Sequence, residues 1–221
     1  PSNERLALLS LDYVGVLGAS NNLKFAIEND NRAEAWYEIR FNSNYRNGVN
    51  AIDAPDGELQ NGFNGQAVRR YGESDLFGLY NADGLDEAEA RQIFQMFTRH
   101  WDVIEKYDTR FEHLLDDSSA KFNFAVESSN EVSQQAKDFL VNLYSPDESI
   151  DKVWVEYKSV DGSGNETNNL DFRFELDGTT PRTDNMLILG GEGDDIIRGG
   201  SGNDFLIGES GEDQLYGGEG N

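Results

Sequence analysis

The chain has 221 residues, with 18 Lys and Arg against 42 Asp and Glu, so its formal net charge is −24. This charge argues against nucleic acid or an anionic membrane surface as the main partner, because like charges repel, and it favours cations. Hydrophobic residues make up 37% of the chain, which is enough for a modest core and excludes wholesale disorder. The chain has no cysteine, which excludes disulfides and thiolate metal sites. The longest apolar run, around Leu6–Leu11, is too short to span a bilayer.

The first 80 residues are predicted to form several short helices. Residues 4–11 are apolar on most faces, which predicts a buried helix. Three further helices are predicted over residues 21–29, 32–40 and 66–80. Asparagines precede the first two of these, and we expect Asn21 or Asn22 to cap the first and Asn31 to cap the second.

The last of these helices carries a distinctive pattern, Gly-x-x-x-Arg-Arg-x-x-Glu-x-x-Leu-Phe. Its members are Gly65, Arg69, Arg70, Glu73, Leu76 and Phe77. Together with the stretches 5–13 and 30–40, this pattern resembles the C-terminal helical lobe of phage-type lysozymes (glycoside hydrolase family 24). The resemblance implies a peptidoglycan or other glycan ligand, with Arg69 and Arg70 as candidate substrate-binding residues. An unrelated helical domain with an ordinary exposed arginine pair is the alternative.

The catalytic set of that family does not occur in this chain. The family places an Asp nine residues and a Thr fifteen residues after its catalytic Glu. Only Glu175 is followed by an Asp at nine residues, Asp184, and the fifteenth residue is Gly190. We therefore assign no catalytic residue and leave enzymatic activity open.

The middle of the chain is predicted to contain one long helix and a small mixed module. Asp86 followed by Glu89 is typical of a helix start, and an aromatic and aliphatic stripe continues to Leu115 and indicates core packing. Beyond this helix, the pattern predicts a strand over 121–126, a helix over 131–144 that Pro146 ends, and strands over 153–160 and 170–176 joined by a turn at 161–165. We assign no function to this module.

From Gly190 onward the sequence repeats with a period of nine. Each of three full copies has Gly first, Gly fourth, Asp sixth and an aliphatic residue eighth. A flexible Gly/Asp linker has no reason to keep this period, and the aliphatic residues Ile197, Leu206 and Leu215 are expected to stack into a narrow core. The pattern resembles the RTX (haemolysin-type) calcium-binding nonapeptide repeat.

Calcium is the cofactor that this pattern predicts, because glycines turn backbone carbonyls inward, Asp adds carboxylates, and Ca²⁺ takes six to eight oxygen ligands. The resemblance implies a β-roll in which Ca²⁺ bridges turns two repeats apart, which pairs Asp195 with Asp213 and Asp204 with the turn that begins at Gly217. The candidate metal ligands are Asp195, Asp204, Asp213, Gly191, Gly193, Gly200, Gly202 and Gly211.

The predicted architecture is multi-domain. It comprises a mainly α, lysozyme-like lobe over 1–115, a small α+β connector over 116–180 and a C-terminal parallel β-roll over 181–221. The RTX resemblance implies secretion through a type I system. The parent protein is interpreted as a secreted peptidoglycan β-1,4-glycan hydrolase (muramidase), with a non-enzymatic, calcium-dependent glycan-binding or structural surface module as the alternative. Because the chain begins at Pro1 and stops five residues into a repeat, we expect it to be a piece of a longer protein.

Overall fold

The computed structural model describes residues 2–43, 45–46, 49–50, 53, 63–80, 84–122, 129–147, 149–160, 166–168 and 183–220. The chain divides into two compact units, one of residues 1–85 and 100–134 and one of residues 86–99 and 135–221. The N-terminal region is mainly helical, and parallel strands occupy the C-terminal region, as the sequence predicts at this level. The finer limits at 115 and 180 stay a prediction.

The first unit consists of short helices around an aromatic core. Its elements are α1 (Asn3–Tyr13), α2 (Val16–Ala19), α3 (Asn21–Glu28), α4 (Arg32–Tyr37), a π-helical turn (Glu38–Asn42), the antiparallel pair β1 (Tyr45–Arg46) and β2 (Val49–Asn50), and α5 (Phe63–Phe77). Asn31 caps α4 as predicted, since its Oδ1 accepts the Glu34 N–H at 3.2 Å.

Three predictions for this unit are corrected. The helix predicted over residues 66–80 is α5, which begins and ends three residues earlier, at Phe63 and Phe77. The cap of α3 is Ser20, whose Oγ accepts the Leu23 N–H at 3.2 Å, and Asn21 is instead the first helical residue. Helix α1 is buried along one face only: Ala7 and Leu11, one turn apart, are fully buried, whereas Leu9 is 59% exposed. A helix that packs on one side buries only such a stripe, even when its sequence is apolar all round.

The core of the first unit is centred on a buried arginine. Arg40 is fully buried, and its guanidinium carbon lies 3.9 Å from the centre of the Tyr71 ring and 4.8 Å from that of Trp36. Its Nη1 donates to Asp75 Oδ1 at 2.6 Å and to Ser74 Oγ at 3.0 Å. A buried cation needs such partners, so the π-helical turn and α5 are held together by charge as well as by packing.

One long helix, α6 (Glu87–Phe122), belongs to both units. Its start is the predicted one, because Asp86 Oδ1 accepts the Glu89 N–H at 2.8 Å. The predicted stripe is buried wherever the structure describes its side chains, apart from the half-buried Trp101. The helix also includes Lys121 and Phe122, so the strand predicted over 121–126 is wrong at its first two residues, and the rest of that segment lies outside the described residues.

The second unit combines helix α7 (Ser129–Tyr144), which begins in the first unit, with seven described strands, five of which pair in parallel. The strands are β3 (Lys152–Val155), β4 (Lys158–Val160), β5 (Glu166–Asn168), β6 (Met186–Glu192), β7 (Ile196–Gly200), β8 (Phe205–Ser210) and β9 (Gln214–Gly218). One parallel sheet has the order β3-β6-β8, and a second pairs β7 with β9. The central strand β6 is buried from Met186 to Leu189, which suits a strand covered on both faces.

The strands predicted for the connector are partly corrected. The segment 153–160 is two strands, and β3 extends the sheet of the repeats by pairing with β6. Strand β4 forms an antiparallel pair with β5, so the partner strand begins at Glu166 and not at 170. The turn at 161–165 and the segment 170–176 lie outside the described residues.

The aliphatic residues of the repeats are buried unequally. Ile197 is fully buried and Leu206 is half-buried, as expected for stacked strands. Leu215, predicted to be in the same core, is 46% exposed, because β9 is the last strand among the described residues and no later described turn covers it.

The buried ion pair at Arg40 gives a first prediction. Asp75→Asn is expected to lower the free energy of unfolding by about 1.5–3 kcal/mol, because the buried guanidinium loses its charged acceptor. Glu4→Gln is the control, since the Glu4–Arg32 pair is more exposed and its loss should cost less than about 1 kcal/mol. Urea denaturation of both variants measures the difference, and equal losses would contradict the role of Arg40.

Candidate functional site

The nine-residue repeats form stacked turns, and the strand of one turn pairs with the strand two repeats later. Ile188 pairs with Leu206 in one sheet and Ile197 with Leu215 in the other, and each pair is separated by two repeats. Turns n and n+2 therefore lie next to each other, and equivalent positions of the repeat come into contact.

The position-six carboxylates are part of this stacking. Asp213 Oδ1 accepts the Asp195 N–H at 3.0 Å, and Asp204 Oδ1 accepts the Met186 N–H at 3.0 Å. The side chain of Asp195 is buried with the rest of that residue, which is 3% exposed. The structure thus brings Asp195 and Asp213 together, two repeats apart in sequence.

Position one of the repeat shows why glycine is required there. A Cβ added at Gly190 would lie 2.7 Å from Asp195 Oδ2 and 2.6 Å from Gly208 O. At Gly199 it would collide with the Asp204 carboxylate and lie 2.7 Å from Gly217 O. At both glycines, a carboxylate oxygen from the same turn and a carbonyl oxygen from the turn two repeats later converge on the same place.

The predicted glycine ligands lie at the edges of these turns. Gly191 and Gly200 have φ of +101° and +124°, a conformation that glycine adopts without strain. Gly193 donates its N–H to Ser210 O at 2.7 Å, and a Cβ at Gly211 would collide with Gly193 O. Gly202 packs in the same way against Asp184 O. All five predicted glycines therefore belong to the closely stacked backbone of the turns.

Position five carries a second set of contacts that the sequence interpretation missed. Asp194 Oδ1 accepts the Glu212 N–H and Asn185 Oδ1 accepts the Asn203 N–H, both at 2.8 Å and both across 18 residues. The residues that accept are short Asp and Asn side chains, of which Asp194 is exposed and Asn185 is half-buried. The recurrence of acidic and amide residues at position five is the signal that could have indicated this ladder.

The oxygen-rich environment fits a hard cation. Among the described residues, no group of three or more His, Asp or Glu side chains lies close enough to hold a metal by itself. A site built here needs backbone carbonyls beside the carboxylates, and this is the mixture of oxygen ligands that Ca²⁺ accepts.

The two arginines predicted to bind substrate differ in their exposure and in whether they line a cavity. Both guanidinium groups bind Glu73: Arg69 Nε lies 3.0 Å from its Oε1, and Arg70 donates to its Oε2. Arg70 is buried and lines a cavity of about 670 Å³ in the first unit, whereas Arg69 is exposed and does not line it.

The cavity also contains a buried carboxyl group, which the sequence interpretation missed. Glu38, at the start of the π-helical turn, accepts at Oε1 from Asn42 Nδ2 at 2.9 Å and from Asn22 Nδ2 at 3.4 Å. Burial raises the pKa of Glu38, against the lowering effect of these two amide hydrogen bonds. One wall is apolar, with Val14, Val16 and Ala19 among its residues.

Comparison with known proteins identifies the repeats. Residues 189–221 match the family described as RTX calcium-binding nonapeptide repeat (4 copies). Residues 189–221 are therefore RTX calcium-binding nonapeptide repeats, and RTX repeats bind Ca²⁺. Such repeats are typical of type I secreted proteins.

No curated protein and no solved structure matches the chain. The resemblance of residues 4–80 to phage-type lysozymes accordingly has no support from these comparisons. Within the described part of the chain, no helix is both long and apolar enough to cross a membrane.

The different roles of positions five and six give a second prediction. Asp213→Ala is expected to weaken calcium binding more than Asp194→Ala, because Asp213 supplies a carboxylate beside the stacked glycines, whereas exposed Asp194 holds a backbone N–H. Calorimetric titration of both variants with Ca²⁺ gives the two affinities. A larger loss for Asp194→Ala would show that the repeat frame is wrong.

Proposed function

We propose that residues 183–220 form a β-roll that folds when Ca²⁺ binds between turns two repeats apart. The supporting observation is the convergence of carboxylate and carbonyl oxygens at Gly190 and Gly199. Asp195, Asp204 and Asp213 supply the carboxylates, and the stacked glycine turns supply the carbonyls.

Charge makes the cation necessary for folding. From residue 181 the chain carries nine acidic and two basic residues, which repel one another without a cation. Ordering the backbone costs about 1–2 kcal/mol per residue, and Leu206 and Leu215 are only partly buried. Calcium binding offsets both costs. In the low calcium of the cytosol the repeats stay loose, and they fold after secretion, where calcium is abundant.

Hydrogen exchange of the whole chain with and without Ca²⁺ tests this proposal. We expect calcium to slow exchange across residues 190–220 and to leave residues 2–43 and 63–80 almost unchanged, because the helical unit has its own aromatic core. Mg²⁺ at the same concentration is the control, since it demands a smaller octahedral site. Exchange in 190–220 that calcium does not alter would contradict the β-roll.

A second candidate function concerns the helical unit, for which the cavity is the supporting observation. We propose that this unit is a lysozyme-like lobe that binds a glycan. An apolar wall beside amide and hydroxyl groups suits a sugar ring, whose C–H face is apolar and whose hydroxyls need hydrogen-bond partners. A peptidoglycan hydrolase as the parent protein and a non-enzymatic glycan-binding module are both compatible with this site.

Titration with a soluble β-1,4-linked oligomer of N-acetylglucosamine tests the glycan-binding candidate. Asn22→Ala, which alters an exposed residue of the cavity, is expected to weaken binding, whereas Asn29→Ala on the far end of α3 should not. Equal binding by both variants would contradict a ligand in the cavity.

We also expect this chain to leave peptidoglycan suspensions intact in a turbidity assay, since the family's catalytic Glu pattern is absent.

A further inference from the structure

One turn of the repeats departs from the glycine pattern at position two. Gly191, Gly200 and Gly218 have positive φ, and the equivalent residue of the third copy is Glu209, with φ of +70°. A residue with a Cβ is disfavoured in this conformation, so Glu209 needs contacts that hold it there.

The contacts of Glu209 come from helix α6, in the same unit. Arg91 Nη2 lies 2.5 Å from Glu209 Oε1, and Arg91 Nη1 lies 3.3 Å from Oε2, so the pair is bidentate. The Arg91 side chain is 20% exposed and that of Glu209 is 24% exposed. A two-point arginine–carboxylate contact fixes orientation better than a single ion pair does.

Arg91 is itself held from two other directions. Its Nε lies 2.9 Å from Glu87 Oε1, and it donates to the hydroxyl of Tyr144 in α7. The Tyr144 hydroxyl also donates to Glu87 Oε1 at 2.5 Å. The guanidinium is therefore also held by contacts that do not involve the repeats.

Glu209 lies where it can affect the proposed calcium site. It follows Gly208, whose carbonyl oxygen approaches Gly190 as the Asp195 carboxylate does, and it precedes Asp213 in the same turn. In the sheet it pairs with Gly191, where a Cβ would lie 4.0 Å from Glu209 Oε2. The contact between Arg91 and Glu209 is thus made at the turn 208–213, which supplies one side of the proposed calcium site.

We propose that Arg91 is a positioning residue for calcium binding: by holding Glu209 it keeps the turn 208–213 in the conformation that the cation requires. This inference rests on the proposed calcium site between turns two repeats apart. It couples calcium binding by the repeats to the start of α6 and the end of α7, which hold Arg91.

Electrostatics and positioning predict opposite results when Arg91 is neutralised. Arg91 is a positive charge near a cation site, so its removal alone should raise calcium affinity slightly. If Arg91 positions the turn, its removal should lower calcium affinity, because Glu209 loses the contact that holds its positive φ. The sign of the change therefore separates the two effects.

The test is calorimetric calcium titration of the full chain and four variants. Arg91→Gln, Glu209→Gln and the double variant form a cycle, and Arg198→Gln is the control, because Arg198 is a charge on the repeats that packs on Tyr216. We expect each change at Arg91 or Glu209 to lower affinity about fivefold, and the double variant to lose no more than either single variant. Arg198→Gln should leave the affinity equal or slightly higher.

The outcomes separate this inference from the function on which it rests. Calcium affinity of Arg91→Gln that is unchanged or raised, like that of Arg198→Gln, overturns the positioning role while the calcium site stands. Independent losses that multiply in the double variant also overturn it. A wild-type chain that binds no calcium contradicts the proposed site itself. If Arg91→Gln does not fold, Arg91→Lys, which keeps the charge but not the two-point contact, should show the same direction of change.

Discussion

The close approach of position-six carboxylates to glycine backbone is the constraint on which the repeat region depends. Asp195 and Asp204 place an oxygen where a side chain at Gly190 or Gly199 would begin, and a carbonyl from two turns later meets the same place. This arrangement concentrates negative and partially negative oxygens in a region of low exposure. A cation stabilises such an arrangement, and without one the oxygens repel each other.

The two units are stabilised in different ways. The helical unit contains aromatic rings that pack around Phe41, with Tyr107 at 5.2 Å and Tyr37 at 5.5 Å between ring centres, and a buried arginine with its own acceptors. No cation is needed for this packing. The repeats have short strands and few large side chains, so their stability depends on backbone stacking and on the ligand. A ligand that binds only the folded repeats can therefore switch one region and leave the other folded.

Much of this organisation could be predicted because it depends on local or periodic signals. The period of nine indicated the parallel strands, and Asn31 and Asp86 indicated helix starts through short side chains that reach a nearby N–H. Features that depend on tertiary contacts could not be predicted. Leu9 and Leu215 are exposed because no other described element packs over them, and a sequence does not show which elements come together. Glu209 departed visibly from the pattern, but its contact with Arg91 joins residues 118 positions apart.

A crystal structure of the chain grown in calcium, with the cation located by its anomalous scattering, is the direct test of calcium binding between the stacked turns. We expect a Ca²⁺ ion at about 2.3–2.6 Å from the carboxylate of Asp195 and from oxygens of the turn 208–213, with backbone carbonyls completing its coordination. Calcium bound only outside the stacked turns, with Asp195 and Asp213 remote from it, would contradict this site.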